Sequence, residues 1–110
     1  IGDFNDWKVS TDYFMNCDSV NADSVIWWMD LTLSAGTEYA FQYLVDGTIR
    51  TGDPYSEKIL DPWNDDDIPA INYPNLKPYP SGKTSQAVTV LQTMQSEYQW
   101  QITDFQKPPK

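Results

Sequence analysis

The 110-residue sequence predicts an all-β domain, an immunoglobulin-like antiparallel β-sandwich with a long proline-rich loop. Three observations support this prediction. Apolar and polar residues alternate along short segments, an Asp-Gly pair typical of hairpin turns follows one of them, and no segment keeps a helical period over three turns. The length suits one domain with one hydrophobic core.

The strongest strand signal covers residues 25–33, in which every odd-numbered residue is apolar. These residues are Val25, Trp27, Met29, Leu31 and Leu33. Asp30 and Thr32 occupy even positions, so the period is two, which is typical of a half-buried strand. We therefore expect Trp27 to lie in the core and Trp28, on the opposite face, to be exposed.

A second alternating segment covers residues 39–45 and follows a short connection that contains Gly36. Its apolar face comprises Tyr39, Phe41, Tyr43 and Val45. Asp46-Gly47 comes next, and such a pair supplies the positive φ angles that a type I′ turn requires. Residues 48–51 are therefore predicted to form the returning strand of a hairpin.

Prolines are concentrated in the middle of the chain, where six of the eight lie between residues 52 and 82. Because proline lacks the amide hydrogen that helices and central strands need, we predict an ordered extended loop. Its expected apolar anchors are Tyr55, Ile59, Leu60, Trp63, Ile68 and Tyr73. Residues 87–91 predict the last strand, so the sandwich spans 1–91. Residues 92–110 predict a tail that packs on another structure or leads to it.

Composition argues against catalysis and against several classes of partner. The formal net charge of −9 disfavours nucleic acid and anionic membranes, because both attract Lys and Arg. The chain has no His and a single Cys, Cys17, which excludes His-based triads, His metal sites and an intrachain disulfide. No glycine-rich phosphate motif occurs. We expect no cofactor and no catalytic activity from this chain itself.

The acidic residues allow two further interpretations. A pair of carboxylates could hydrolyse a glycosidic bond, but a small sandwich offers no deep cleft for a sugar chain. The acidic run 65–67, with Asp61 and Asn64 nearby, could coordinate Ca²⁺ through oxygen ligands. The spacing of these residues differs from that of an EF-hand loop, so a solvated acidic turn is the favoured interpretation.

The five tryptophans point to a different kind of chemistry. Sugars are neutral and have apolar C–H faces, so proteins bind them by stacking aromatic rings and hydrogen-bonding the hydroxyls. A tryptophan exposed beside Gln, Asn or Lys could therefore bind a sugar. Aromatic residues of a small domain more often fill the core or cover a partner interface, and both interpretations stay open at this point.

Several short motifs resemble known families. Residues 1–7 read Ile-Gly-Asp-Phe-Asn-Asp-Trp and resemble the Gly-x-Phe-Asn-x-Trp signature of carbohydrate-binding family 48. Residues 41–47, an aromatic-rich strand entering Val-Asp-Gly, resemble a second hallmark of that family, and Asp-Pro-Tyr-Ser at 53–56 resembles a third motif. The segments 58–65, 73–80 and 98–108 are similar to the N-terminal region of Bacteroidetes enzymes of the α-amylase family, glycoside hydrolase family 13.

The resemblance implies an early-set sandwich that precedes a catalytic (β/α)₈ barrel, with this segment ending before the barrel. The parent would be a glycoside hydrolase or a branching enzyme that acts on starch or glycogen. The barrel of the same chain is then the expected partner, and an α-glucan is a second one. Aromatic anchors of the interface with the barrel would be Trp63, Tyr73, Tyr79 and Trp100.

The sugar-binding residues of the family carry over only in part. In glucan-binding members the signature tryptophan stacks on a sugar, and Trp7 occupies that position, close to Asn5. Gln42 stands where the family has Lys, and Ile49 stands where it has a second stacking Trp. Because Ile cannot stack on a sugar as an indole does, we favour a domain that packs on the barrel and supports it. The alternative is an α-glucan-binding module that uses Trp7 and Gln42.

Overall fold

The computed structural model describes all 110 residues and consists of short antiparallel strands joined by irregular segments. It contains no α-helix, only single-turn 3₁₀ helices at Asp3–Asn5, Thr11–Tyr13 and Asp65–Asp67. The prediction of an all-β chain is thereby confirmed. None of these turns has the length or the apolar character that crossing a bilayer requires. The strands are β1 (Asn16–Asn21), β2 (Ser24–Trp28), β3 (Glu38–Phe41), β4 (Tyr43–Val45), β5 (Ile49–Thr51), β6 (Ile59–Leu60) and β7 (Val88–Gln92).

The strands form three separate antiparallel sheets. In the largest, β7 lies between β3 and β6, and its register places Val90 opposite Ala40 and Val88 opposite Leu60. The other two sheets are isolated hairpins, one of β1 and β2 and one of β4 and β5.

The hydrophobic core is small and lies on one face of the three-stranded sheet. Its buried residues are Trp7, Ala40, Leu60, Val88 and Val90, against which Ile1, Leu76 and Tyr79 pack. The pleat of β7 explains this arrangement, because Val88 and Val90 share a face and Thr89 points to the other. The hydroxyl of Thr89 accepts a hydrogen bond from the amide of Asp53 at 2.6 Å.

The predicted hairpin and the predicted last strand are both confirmed. Asp46 and Gly47 have φ angles of 52° and 69°, as the Asp-Gly pair predicts. The amide of Thr48 closes the turn by donating to the carbonyl of Val45 at 3.1 Å. β7 begins one residue later than predicted, at Val88.

Gln42 interrupts the strand that was predicted over residues 39–45. It lies between β3 and β4, and its amide donates to the carbonyl of Ile1 at 2.9 Å. Gly2 forms an isolated antiparallel bridge with Phe41. Residues 1 and 2 therefore pair with residues 41 and 42, at the point where the predicted strand is interrupted.

The prediction for residues 25–33 is wrong in length and in burial. β2 ends at Trp28, because residues 29–33 have no neighbouring strand with which to pair. Trp27, which was predicted to lie in the core, is 62% exposed. The cause is that no other element packs on the β1–β2 hairpin, whose eleven strand residues are all exposed. Trp28 is exposed, as predicted.

The proline-rich segment is irregular apart from the 3₁₀ helix Asp65–Asp67 and β6, a strand that the sequence did not predict. Of its six predicted anchors only Leu60 is buried. Leu60 pairs with Val88 on the core face of the central sheet, whereas the other five side chains remain accessible to solvent. Beyond β7, residues 95–110 have no regular secondary structure and are exposed.

Candidate functional site

Trp7 lies at the end of a tight turn that begins at Gly2. The carbonyl of Gly2 accepts hydrogen bonds from the amides of Asn5 at 3.2 Å and Trp7 at 2.9 Å. The side-chain oxygen of Asn5 in turn accepts the amide of Gly2 at 3.0 Å. This turn directs the indole of Trp7 into the core, where the residue is only 6% exposed.

The carboxylate of Asp3 joins this turn to the central sheet. One oxygen accepts the indole N–H of Trp7 at 3.1 Å, and the other accepts the amide of Ala40 at 2.9 Å. The ammonium group of Lys77 lies 3.0 Å from that second oxygen. Burial favours the neutral form of Asp3, but the bonds from these three groups outweigh that effect and lower the pKa of the carboxyl below its ordinary value.

Gln42 is only 1% exposed, and its amide is saturated by neighbouring groups. Its nitrogen donates to the carbonyls of Ser85 and Ala87, each at 2.8 Å. Its oxygen accepts the hydroxyl of Thr84 at 2.5 Å. Gln42 therefore fastens the segment before β7 to the end of β3 and has no free atom to offer a ligand.

The four residues predicted to bind carbohydrate do not form a solvent-facing aromatic site. Asn5 uses its side chain within the turn, where its nitrogen donates to the carbonyl of Lys8 at 2.8 Å. Ile49 is exposed, but on the separate β4–β5 hairpin. Trp7 and Gln42 are both buried. The indole face on which a sugar would stack is covered by the protein's own core.

The four residues predicted to contact a barrel differ in accessibility. Trp63 and Trp100 are 64% and 75% exposed, and Tyr73 is also exposed. Tyr79 packs against the core, and its hydroxyl donates to the carbonyl of Gln86 at 2.8 Å. Tyr79 is thus a core contact, while the other three aromatic side chains are available to a partner.

The carboxylates of Asp61 and Asp65 accept hydrogen bonds from groups within the same acidic segment. The carboxylate of Asp61 accepts the amide group of the Asn64 side chain at 2.6 Å and the backbone amide of Trp63 at 2.8 Å, and these bonds lower the pKa of Asp61. Asp65 accepts the amide of Asp61 at 2.9 Å. No group of three or more Cys, Asp or Glu side chains is arranged to hold a metal ion.

The most prominent surface is one that the sequence-based reasoning missed, the β1–β2 hairpin. Four consecutive apolar residues of β2 are all exposed: Val25, Ile26, Trp27 and Trp28. The indole N–H of Trp28 donates to the carboxylate of Asp18 in β1 at 2.7 Å. The Asn-Ala-Asp sequence between the strands was the local signal for a hairpin, because Asn21 accepts the amide of Asp23 at 2.9 Å.

The chain as a whole leaves an unusually large surface accessible. Its accessible area is 9097 Å², whereas a folded monomer of this size is expected to expose about 6,200 Å². The radius of gyration is 17.5 Å, against about 13 Å for a compact domain of this length. Large apolar side chains contribute to this surface, and they include three tryptophans other than Trp28.

The fold and its surface together define an all-β domain with a small core and an extensive uncovered apolar surface. Comparison of the sequence with models of protein families and with curated proteins finds no match.

Proposed function

We propose that the chain is a non-catalytic domain of an α-glucan-acting enzyme of the α-amylase family, and that it packs on the catalytic barrel and supports it. Residues 1–7, 41–47 and 53–56 resemble motifs of carbohydrate-binding family 48, whose modules precede the catalytic barrel in enzymes of this kind. The observation that carries it is the surplus of accessible surface, roughly 2,900 Å² above the expectation for a folded monomer.

The size of this surplus favours a permanent contact. A stable interface of ordinary size covers about 800 Å² on each partner, and obligate interfaces cover considerably more. Apolar side chains lie at many points of the uncovered surface, among them Trp27, Trp63 and Trp100. Exposed aromatic residues are enriched where proteins meet, because they supply large contact areas.

The proposed sandwich is of the immunoglobulin-like, early-set type. In this interpretation the central sheet of β3, β7 and β6 forms one layer and the β4–β5 hairpin contributes to the other. The short strands, the antiparallel pairing and the Asp46-Gly47 turn all support such an arrangement.

An α-glucan-binding module that uses Trp7 and Gln42 is disfavoured by their burial. Stacking requires an accessible aromatic face, and hydroxyl recognition requires unpaired polar atoms. Trp7 is enclosed by the core, and the amide of Gln42 already bonds to three neighbouring groups. Opening either site would cost the hydrogen bonds that hold residues 1–7 and 84–87 to the sheet.

Deletion of residues 1–110 from the full-length enzyme tests the proposal. We expect a marked fall in the unfolding temperature measured by calorimetry, together with unchanged sedimentation with glycogen. A companion Trp7→Phe variant of the full enzyme should retain whatever glycogen binding the enzyme has. A deletion that leaves the unfolding temperature intact and abolishes glycogen binding would show that the domain binds glucan and gives no support.

A further inference from the structure

We propose that the β1–β2 hairpin is the element that docks, and that it binds a protein surface with an apolar centre and a rim of Lys and Arg. The contact is made by the face of the hairpin that carries Val25 and Trp27. The identity of that partner as the catalytic barrel rests on the proposed function, whereas the chemistry of the surface follows from the hairpin itself.

The hairpin lacks the packing that a two-stranded sheet needs. A single isolated hairpin is marginally stable at best in water, and packing against another structure is required for it to persist. β1 and β2 pair only with each other, and all eleven residues of the two strands are exposed. Covering one face of this hairpin would supply the missing contacts.

The strand register distinguishes the two faces of the hairpin. Trp27 lies opposite Cys17 and Val25 lies opposite Ser19, so this face carries two large apolar residues and no charge. The other face carries the exposed apolar residues Ile26 and Trp28, but it also carries the carboxylate of Asp18, which accepts the indole N–H of Trp28 at 2.7 Å. The uncharged face is the one that can be desolvated at low cost, because burying an unpaired charge is strongly unfavourable.

Charge determines which partner fits this face. Residues 9–49 contain no Lys and no Arg, and the hairpin itself carries two acidic residues, Asp18 and Asp23. A second copy of the chain would bring the carboxylates of two hairpins close together with no cation of the hairpin to compensate them, and an anionic bilayer would repel them. A protein surface with an apolar centre and a basic rim complements both the apolar face of the hairpin and its carboxylates.

Amide hydrogen exchange of the full-length enzyme tests the proposal directly. We expect the amides of residues 16–28 to exchange much more slowly than those of an exposed hairpin. The double variant Val25→Ser/Trp27→Ser should abolish this protection, because a buried tryptophan anchor contributes at least about tenfold to an interface equilibrium. The variant Asp23→Lys, at the rim, should reduce protection more at low salt than at high salt.

The matched control is Val45→Ser/Ile49→Ser, which removes a directly opposed exposed apolar pair from the other isolated hairpin. It should leave the protection of residues 16–28 unchanged. Exchange of the β3 and β7 amides checks that each variant still folds. Rapid exchange of residues 16–28 in the unaltered enzyme would overturn the proposal, as would a Trp27-dependent dimer in analytical ultracentrifugation.

The deletion and the hydrogen-exchange measurement together distinguish a failure of the hairpin proposal from a failure of the proposed function. If deletion of residues 1–110 destabilises the enzyme but residues 16–28 are unprotected, the domain supports the barrel through another surface and the hairpin proposal alone is wrong. If the deletion has no effect on stability while residues 16–28 are protected in the enzyme, the hairpin docks without supporting the barrel, and the proposed function alone is wrong.

Discussion

The carboxylate of Asp3 accepts the indole N–H of Trp7 at 3.1 Å and thereby ties the only buried tryptophan of the chain to the central sheet. Its second oxygen accepts the amide of Ala40, so one side chain serves both the N-terminal turn and β3. The Gly-x-Phe-Asn-x-Trp segment thus acts here as a structural clasp, and its aromatic residue belongs to the core.

Replacement of Asp3 by Asn tests this clasp. The variant keeps the shape of the side chain but weakens hydrogen bonds that the ionised carboxylate accepts, so we expect a loss of about 1 to 2 kcal/mol in the free energy of unfolding. Urea denaturation followed by far-UV circular dichroism measures it. Asp12→Asn is the control, because Asp12 is exposed and its carboxylate takes part in no ion pair or hydrogen bond of the chain. Equal effects of the two substitutions would contradict the assignment.

The contribution of Asp3 should depend on pH. Its pKa is lowered in the folded chain from about 3.9 in the unfolded chain, so the ionised form stabilises the fold. The difference in stability between the unaltered protein and Asp3→Asn should be complete above pH ~4. It should shrink as the pH falls through the lowered pKa of the folded state. A difference that stayed constant down to the acid limit would show that the carboxylate charge has no part in it.

Trp7→Phe should destabilise the chain without changing its response to sugar. The smaller ring leaves a void and removes the bond to Asp3, which together cost about 1 to 3 kcal/mol. Trp63→Phe, at an exposed position, should change stability by no more than about 0.5 kcal/mol.

The sugar response is measured by titrating maltoheptaose to millimolar concentration while recording tryptophan fluorescence. We expect no saturable change in the unaltered chain or in Trp7→Phe, because the indole of Trp7 is covered. A saturable change that disappears in Trp7→Phe would instead establish a glucan site at this residue.

Local sequence signals predicted the parts of the fold that depend on local interactions. The Asp46-Gly47 turn and β7 follow from the conformational preferences of their own residues, and both were predicted to within one residue. The strand over 39–45 was predicted only in part, because its break at Gln42 arises from pairing with Ile1, forty-one residues away.

Burial was harder to predict, since it depends on what covers each face. The alternating pattern places Trp27 and Trp28 on opposite faces, and the structure has them so, but the pattern does not show that both faces of the hairpin are open. The burial of Trp7 and Gln42, two of the predicted sugar-binding residues, has a related cause. A signature motif places Trp7 after a turn, but the motif does not show that the indole bonds to Asp3 and packs in the core.

Gln42→Leu should be among the most destabilising single substitutions in the chain. Leucine fills a similar volume but leaves the carbonyls of Ser85 and Ala87 and the hydroxyl of Thr84 without their partner. Buried polar groups left unpaired cost about 1 to 3 kcal/mol each. Because Ser85 is exposed and Thr84 is only half-buried, water replaces part of the lost bonding, and we expect a loss of about 2 to 4 kcal/mol. The midpoint of urea denaturation measures it, with Gln92→Leu, at an exposed position of β7, as control. A loss no larger than that of the control would mean that the network contributes nothing to stability.

Gly2→Ala should detach the N-terminal turn from the sheet. Gly2 has an extended backbone that any residue can adopt, so the requirement for glycine is one of space. A Cβ atom would lie 2.6 Å from the carbonyl oxygen of Ala40 and 2.9 Å from the Cβ of Phe41, distances that force the backbone apart.

We expect faster hydrogen exchange at the amides of Ala40 and Gln42 and a red shift of the tryptophan emission, because Trp7 would become accessible to water. Gly36→Ala is the matched control: Gly36 has a φ of +65°, but a Cβ there meets nothing within 4 Å. It should therefore cost stability through backbone strain, about 1 kcal/mol, without changing exchange at residues 40 and 42. Unchanged exchange at these two amides in Gly2→Ala would show that the turn is held by contacts other than the close approach of Gly2 to β3.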